Sequence, residues 1–464
     1  MSLSAETILS RDPGVRQAFS TDASGLVMLP DAVARPTSAA DVVELLRQAD
    51  ADGTPVTSAG GQSSMTAAAI TDRGILLSLR GLDQIHDLDP AAGTVRVGPG
   101  IGVAQLKRAM AEHGLLFAPD PTSEEEASLG GAIACNASGA RSLRYGATRP
   151  HVRALTVVLA SGEQVELRRT RLEKNTVGYF PMQDPIDWFI GSEGTLGVVV
   201  AAELALLPLP EKVTGLGIPF GSEGAALAFV VAARTAMDAG TMHPRCLEYL
   251  DAGALEVVRA EEGGWQWSGS AFVYTEQESR GDEELDFDAW LALAESHHAQ
   301  SDDMLVFDSD ATIRTARRLR HAVPAVLGEY GARHRATGGI RVGTDWAVPY
   351  ARLPEAVGMA RGVAARHGVE NPRIFGHAGH GHPHFNFICK NPEEIAAVDR
   401  VLHETLTAVI AMGGTVAAEH GIGKIKQRWL PLQLTRMQID AMQALKHALD
   451  PKGLLAPGNL LPSA

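Results

Sequence analysis

Between Phe375 and Asn386 the chain runs Gly376-His377-Ala378-Gly379-His380-Gly381-His382-Pro383-His384-Phe385-Asn386, a glycine-rich turn that carries four histidines into an apolar strand. Imidazoles this dense in such a turn can converge on one ion, where the same residues on a helix would spread around its surface. Further on, Glu419-His420-Gly421-Ile422-Gly423 adds a carboxylate and another imidazole, with glycine following for close backbone approach. Two imidazoles and one carboxylate leave coordination positions open, which is the arrangement of a catalytic ion and not of a structural zinc. A hydrogen-bonded histidine cluster without an ion is the other reading of these residues.

A second chemistry is written in four loops, each beside a predicted strand: Ala59-Gly60-Gly61-Gln62-Ser63-Ser64, Pro119-Asp120-Pro121-Thr122, Gly130-Gly131 running to Asn136-Ala137-Ser138-Gly139, and Gly191-Ser192-Glu193-Gly194-Thr195-Leu196-Gly197. Glycine removes the Cβ that would hold a backbone away from a pyrophosphate, and successive N–H groups then form an anion-binding concavity. Any one of these loops reads equally as an ordinary turn. Four in one half of the chain, with no G-x-G-x-x-G after the first strand, point away from a nicotinamide site and towards an elongated dinucleotide lying across several loops.

The elements that position these loops read as alternating helices and strands. A capped helix follows Thr37 or Ser38 through Val42, Leu45, Leu46 and Ala49, and strands are predicted at 54–57, 75–79 and 94–97. A helix over 103–113 closes at Gly114, and strands at 155–160 and 163–167 form a hairpin around Ser161-Gly162. After the apolar run 196–207, Pro208 and Pro210 mark a predicted domain boundary. Helices are expected at 222–239, from Ala311 past Arg320 with Pro324 ending or kinking it, at 351–367 and at 392–412, with a strand at 385–389. The pattern is α+β.

Composition bounds the function. The 464 residues are 45% hydrophobic and 21% charged, enough apolar mass for two or three domains. A net charge of −14 excludes general binding to nucleic acid or to an anionic membrane surface, both of which need a basic face. The segment Met1 to Ala18 has no apolar run of signal length, and no uncharged apolar stretch of about 18 residues occurs, so a cytoplasmic protein is expected. Cys135, Cys246 and Cys389 stand apart from one another, which offers neither a disulfide framework nor an iron–sulfur cluster and suits small buried residues.

The loop Gly60 to Ser64, Leu129-Gly130-Gly131 followed by Asn136-Ala137-Ser138-Gly139, Leu143-Arg144-Tyr145-Gly146, Asn175 to Tyr179 and Ile190 to Gly197 together resemble the FAD-linked oxidases of the vanillyl-alcohol oxidase and p-cresol methylhydroxylase type. With the two histidine-bearing motifs, the similarity covers roughly 36–461 and is greatest to the branch of D-lactate dehydrogenase, D-2-hydroxyglutarate dehydrogenase and the glycolate oxidase flavin subunit. The resemblance implies FAD, with Gly60, Gly61, Gln62, Ser63 and Ser64 around the pyrophosphate. Pro121, Thr122, Gly130, Gly131, Ser138 and Gly139 would line the ribityl and ring path, and Glu193, Gly194, Gly197, Val198 and Val199 the adenine end. Tyr145 and Gly146 join this cofactor set. Gln62 and serines stand where a tethering histidine would, so the flavin is expected to be non-covalent.

Carried over by position, the resemblance makes His377, His384 and Glu419 ligands of a divalent ion, Asn386 a substrate contact and His420 the base. The family pattern has Asp and Asn where His380 and His382 stand, and Leu at Pro383; the extra imidazole favours a transition metal over magnesium, with zinc first and iron or manganese as alternatives. Arg320 matches the family arginine for the substrate carboxylate, whereas Arg317 and Arg318 read as a solvated face. Gly343 occupies the position, two before Asp345, where some members carry a lysine, and Arg341 is a candidate substitute.

The resulting expectation is a two-subdomain FAD-binding domain of the p-cresol methylhydroxylase type, residues 1–208 completed by 421–464, with an inserted α+β substrate or cap domain at 209–420. Its reaction would be oxidation of a D-2-hydroxy acid, D-lactate first, with electrons passing to an electron-transfer flavoprotein, a quinone or a cytochrome; a homodimer is expected. The alternatives are D-2-hydroxyglutarate or glycolate as substrate, oxygen as acceptor, the non-redox alkyl-glycerone-phosphate synthase branch, or a flavin-binding subunit of a larger complex.

Overall fold

The computed structural model describes residues 8–170, 172–261, 269–279, 285–370 and 372–461; residues 1–7 of the N-terminal segment lie outside the described residues. It separates into two compact units. One comprises Met1–Gly139, Gly146–Leu209 and Glu419–Ala464, the other Ala140–Tyr145 and Pro210–Ala418.

The first unit holds two larger sheets, beside a two-stranded pairing of Leu115–Leu116 with Leu207–Pro208. In one, β2 (Ala32–Ala34), β4 (Ile75–Ser78) and β3 (Val56–Ala59) run parallel, with β1 (Leu9–Ser10) antiparallel at the edge. Helix α1 (Ala39–Asp52) covers them with Val42, Leu45, Leu46 and Ala49. Its start is fixed by a capping box: Ser38 Oγ accepts from Asp41 N and the Asp41 carboxylate accepts from Ser38 N. The other sheet is antiparallel, in the order β5 (Ile85–Asp89), β6 (Thr94–Val97), β9 (Val198–Ala205), β7 (Val152–Val158), β8 (Gln164–Arg168). The β7–β8 hairpin turns at Gly162, whose φ of +79° is the left-handed conformation glycine permits. Helices α2 (Val103–Ala111) and α3 (Leu129–Cys135) share a core with this sheet through Leu106, Met110, Leu129 and Ile133.

The second unit is built on one seven-stranded antiparallel sheet, β13-β10-β12-β11-β15-β16-β14, formed by β10 (Lys212–Phe220), β11 (Pro244–Asp251), β12 (Ala271–Ser279), β13 (Leu305–Phe307), β14 (Ile340–Gly343), β15 (Arg373–His377) and β16 (His382–Cys389). On one face lies α4 (Glu223–Asp238), where Phe229 meets Phe220 with ring centroids 5.4 Å apart. The other face is covered by α5 (Ala252–Ala260) and α6 (Asp310–Ala332), with Leu255, Leu319, Val323 and Leu327 packed on Cys246, Leu250, Phe272 and Phe375.

Pro324 neither ends α6 nor removes it from the core; the helix continues to Ala332. Proline deprives the carbonyl four residues earlier of its N–H partner. Burial of Val323 and Leu327 on either side supplies the compensating packing. Strand β3 lies two residues later than the sequence reading places it, because Gly53 in the left-handed conformation ends α1 and the chain needs Thr54 and Pro55 to return. Cys246 and Cys389 are buried, Cys135 is half-buried, and all three are free thiols. No described helix is long and apolar enough to cross a membrane.

Candidate functional site

In the first unit the glycine-rich loops meet one another. Ser128 caps α3, and its Oγ accepts from both Gly131 N (3.2 Å) and Gly61 N (3.3 Å), which lays the Gly60–Gly61 backbone beside the first turn of the helix. A Cβ on Gly60 would fall 1.9 Å from Ser128 Oγ, one on Gly61 1.9 Å from the Glu126 carbonyl oxygen, and one on Gly139 2.0 Å from the Asp120 carbonyl oxygen. These glycines are therefore demanded by loop-against-loop packing, before any ligand is considered. Arg80 donates to the carbonyls of Gly60 (2.9 Å) and Gly61 (3.1 Å), while the Gln62 side chain turns away and donates to the carbonyls of Phe19 (3.1 Å) and Thr21 (3.0 Å).

Glu193 is the brace of this assembly. Its carboxylate accepts from Ile422 N and Gly423 N, both at 2.7 Å, and its own N–H donates to the Ala134 carbonyl at 2.9 Å. Burial pushes its carboxyl up against the pull of those two amides. Gly421 has φ +77° with no room for a Cβ, which would lie 2.6 Å from Glu193 Oε1. Asn459 closes the ring, donating to the carbonyls of Glu193 (3.1 Å) and Ala68 (2.9 Å). Gly60 to Ser64, Gly130, Gly131 and Asn136 to Ser138 are half-buried; Pro121, Gly139, Gly194, Gly197 and Val198 are buried, Val199 half-buried and Thr122 exposed.

In the second unit strand periodicity assembles the polar site. His382, His384 and Asn386 alternate along β16 and so share one face. His377 on β15 pairs directly with His382, and Phe375 with His384. The three imidazoles lie with ring centroids 4.4–5.6 Å apart, and one ring nitrogen of each lies within 4.8 Å of the others. His377 Nδ1 is 2.6 Å from Glu248 Oε1 on β11, and His384 Nδ1 is 3.2 Å from the Thr344 carbonyl. Such partners fix ring orientation and leave Nε2 of each ring to act as the ligand atom. His380, by contrast, is exposed. Gly381 makes the turn possible, because its Cβ would lie 2.0 Å from the Val348 carbonyl oxygen and its φ is +67°.

Arg320 and Arg341 are held in different ways. Arg320 is buried, its Nε donates to Glu248 Oε2 at 2.9 Å, its guanidinium lies 4.5 Å from the Phe375 ring centre, and Nη1 has no hydrogen-bond partner among the described residues. Its charge is thus offset by a carboxylate that also holds His377. Burial pushes the Glu248 carboxyl up, but His377 and Arg320 outweigh that and hold it at about 2. Arg341 has no carboxylate partner among the described residues. Its Nε and Nη2 both donate to Asn386 Oδ1 (2.9 and 2.7 Å) and its Nη1 to the Pro324 carbonyl (3.0 Å). The side chain keeps part of its surface accessible, yet desolvation pushes the guanidinium down to about 10. Asn386 spends its amide on the carbonyls of His384 (3.0 Å) and Arg373 (3.3 Å), so all of its side-chain atoms serve to hold Arg341 and the strand.

Tyr145 belongs to the second unit, where its hydroxyl donates to Glu278 and accepts from Arg245 Nε at 3.0 Å. Gly146, in the first unit, has φ +80° and would bring a Cβ to 3.0 Å from Pro150. Next to Tyr145 lies a buried ionic hub: Glu276 accepts from Arg141 Nε (2.9 Å), Arg245 (3.0 Å) and Arg317 (3.4 Å), so Arg317 does more than face solvent. Glu419 follows Ala418, whose N–H donates to the Asp345 carbonyl at 2.7 Å, and His420 Nε2 lies 3.4 Å from Glu419 Oε1. The sequence reading missed Ser128, Glu248 and Glu276. For Glu248 a signal existed, since it stands between Leu247 and Tyr249 in a wholly buried strand; Glu276, flanked by Thr275, Gln277 and Glu278, carries no such signal.

Residues 30–168 match the family described as FAD binding domain, and residues 209–460 match the C-terminal domain of FAD-linked oxidases. The chain is 31% identical over 454 residues to the glycolate oxidase subunit GlcD of Bacillus subtilis, covering 96% of this chain and 92% of that protein. It is 32% identical over 440 residues to D-2-hydroxyglutarate dehydrogenase of Xanthomonas citri pv. viticola, covering 93% and 89%, and 30% identical over 436 residues to D-lactate dehydrogenase of Archaeoglobus fulgidus, covering 92% and 91%. A solved alkyldihydroxyacetonephosphate synthase superposes with a TM-score of 0.73 at 17% identity, over 97% of this chain and 82% of that one, which shows a shared fold. This chain belongs to the FAD-linked oxidases and is a flavoprotein oxidoreductase.

Proposed function

We propose that this protein is an FAD-dependent dehydrogenase that oxidises a D-2-hydroxy acid, D-lactate first, to the 2-oxo acid. The observation that carries the reading is Arg341, a partly accessible guanidinium with no carboxylate partner among the described residues, held in place by Asn386 on the strand that bears the histidine cluster. A cation short of both water and a counter-ion is stabilised by an anionic ligand, and the planar fork suits a carboxylate. Arg320 instead acts as a positioning residue through Glu248 and His377. Gly343 faces Asn386 Oδ1 at 3.5 Å from its would-be Cβ and contributes no second cation. One available guanidinium fits a monocarboxylate better than D-2-hydroxyglutarate.

FAD fits the first unit through Gly60–Ser64, Pro121, Thr122, Gly130, Gly131, Ser138 and Gly139, among which Ser128 holds the Gly61 and Gly131 backbones side by side; Gly194–Val199 would take the adenine end. His377 and His384, whose rings are held by Glu248 and the Thr344 carbonyl, suit a divalent ion, and Glu419 is the carboxylate that the sequence motif adds to them. Such an ion would lower the pKa of a bound substrate hydroxyl. Bound FAD supplies the two-electron acceptor for the α-hydrogen and its electron pair. Arg341 holds the substrate carboxylate, and His420 takes the hydroxyl proton.

The acceptor proposed is an electron-transfer flavoprotein, quinone or cytochrome; 31% identity to a glycolate oxidase subunit also supports action within a larger assembly. The test is anaerobic bleaching of the protein-bound flavin by a panel of D- and L-2-hydroxy acids. Bleaching by D-lactate faster than by its L-isomer is expected. A protein that keeps its FAD and is bleached by none of them would overturn the reading.

A further inference from the structure

His382 lies within the histidine cluster. It is the direct cross-strand partner of His377 and lies two residues before His384 on the same strand face. All three rings are buried, and one nitrogen from each is within 4.8 Å of the others. His382 Nε2 has no hydrogen-bond partner among the described residues: Asp345 Oδ1 lies 3.3 Å away but off the line of a hydrogen bond. A buried ring nitrogen left without a partner is costly. An ion bonded to each ring at about 2.0–2.1 Å would remove that cost.

We propose that His382 is a third imidazole ligand, making a three-histidine centre on β15 and β16 that selects a borderline transition ion over magnesium or calcium. The proposal rests on the metal site proposed above. It goes beyond it by raising the imidazole donors from two to three. Oxygen-preferring ions lose ground at every carboxylate or amide replaced by imidazole, whereas zinc, iron(II), cobalt(II) and copper(II) gain. His380, exposed in the same turn, has no part in it.

The experiment uses the full-length FAD-loaded protein, stripped of metal by a chelator and refilled with copper(II), in which pulsed EPR counts coordinated imidazoles through their remote nitrogens. Three are expected in the wild type and in His380→Asn, and two in His382→Asn. Zinc affinity of His382→Asn should fall by roughly 100-fold or more, beyond the 10–100-fold typical of losing a supporting partner. Two imidazoles in the wild type would overturn the third ligand while leaving the metal site standing, and the wild-type count decides the matter even if the variant fails to fold. Failure of the wild type to take up copper or zinc would overturn the metal site and this proposal together.

Discussion

The two units solve opposite problems with their polar atoms. In the first, glycine-rich loops are locked by backbone and side-chain partners: Ser128 joins two loops, Glu193 takes two amides at 2.7 Å, and Gly60, Gly61 and Gly139 are small because neighbouring chain occupies the space. In the second, charges and imidazoles gather of which some are paired, as Arg320 with Glu248, and one, Arg341, is held by neutral acceptors alone among the described residues. The first arrangement packs loop on loop and fixes backbone groups. The second leaves a guanidinium charge without a carboxylate among the described residues.

The comparison breaks most visibly at His420. His420→Ala should keep FAD and metal content near wild type and slow anaerobic flavin reduction by roughly 10²–10⁴-fold, the usual weight of positioned acid–base catalysis. Stopped-flow absorbance of the flavin checks it. Fast reduction with slow reoxidation would move His420 to the acceptor side, and loss of metal would make it a ligand.

Next in size is Glu276, where the second unit does satisfy its charges. Burial pushes this carboxyl up, yet Arg141, Arg317 and Arg245 hold it well below the usual value of 4.5. A folded pKa below the unfolded one means that the stabilisation is complete above pH 4.5 and is lost as pH falls through the folded value. Glu276→Gln should therefore cost roughly 3–5 kcal/mol near neutrality, by leaving guanidiniums uncompensated, and the gap from wild type should narrow on acidification. Denaturant unfolding across pH measures both, and a gap independent of pH would show that the charge is not the cause.

A smaller effect sharpens the account of the first unit. Glu193→Gln removes one acceptor from a pair of buried amides, which costs about 1–3 kcal/mol. The melting midpoint should fall, with FAD loss following from the loosened loops. An unchanged midpoint with weaker FAD binding would return Glu193 to direct cofactor contact.

How much of this is legible in the sequence depends on the range of the interaction. Ser38 with Asp41 and the Ser161-Gly162 turn are local, and both the helix and the hairpin fall where their residues place them. The histidine motif is local too: strand alternation puts His382 and His384 on one face, cross-strand pairing brings His377 beside His382, and His380 lies in the turn before the strand. What the residues alone do not disclose is pairing at a distance. Arg320 meets a glutamate 72 positions away and Arg341 an asparagine 45 positions away, so which arginine keeps an available charge is decided by sheet register. Glu193 shows the same limit, since its amide partners are 229 and 230 residues distant. The glycines were visible as a group, but their first cause is chain packed on chain.

The most direct measurement of the central claim is the dependence of anaerobic flavin reduction on D-2-hydroxy-acid concentration in the wild type and in Arg341→Gln. Loss of a charge-assisted bond to a carboxylate is worth about 1.5–3 kcal/mol, so apparent substrate affinity should weaken by roughly one to two decades while FAD binding is unchanged. An affinity equal to wild type in Arg341→Gln would contradict the account and give the substrate carboxylate to another cation.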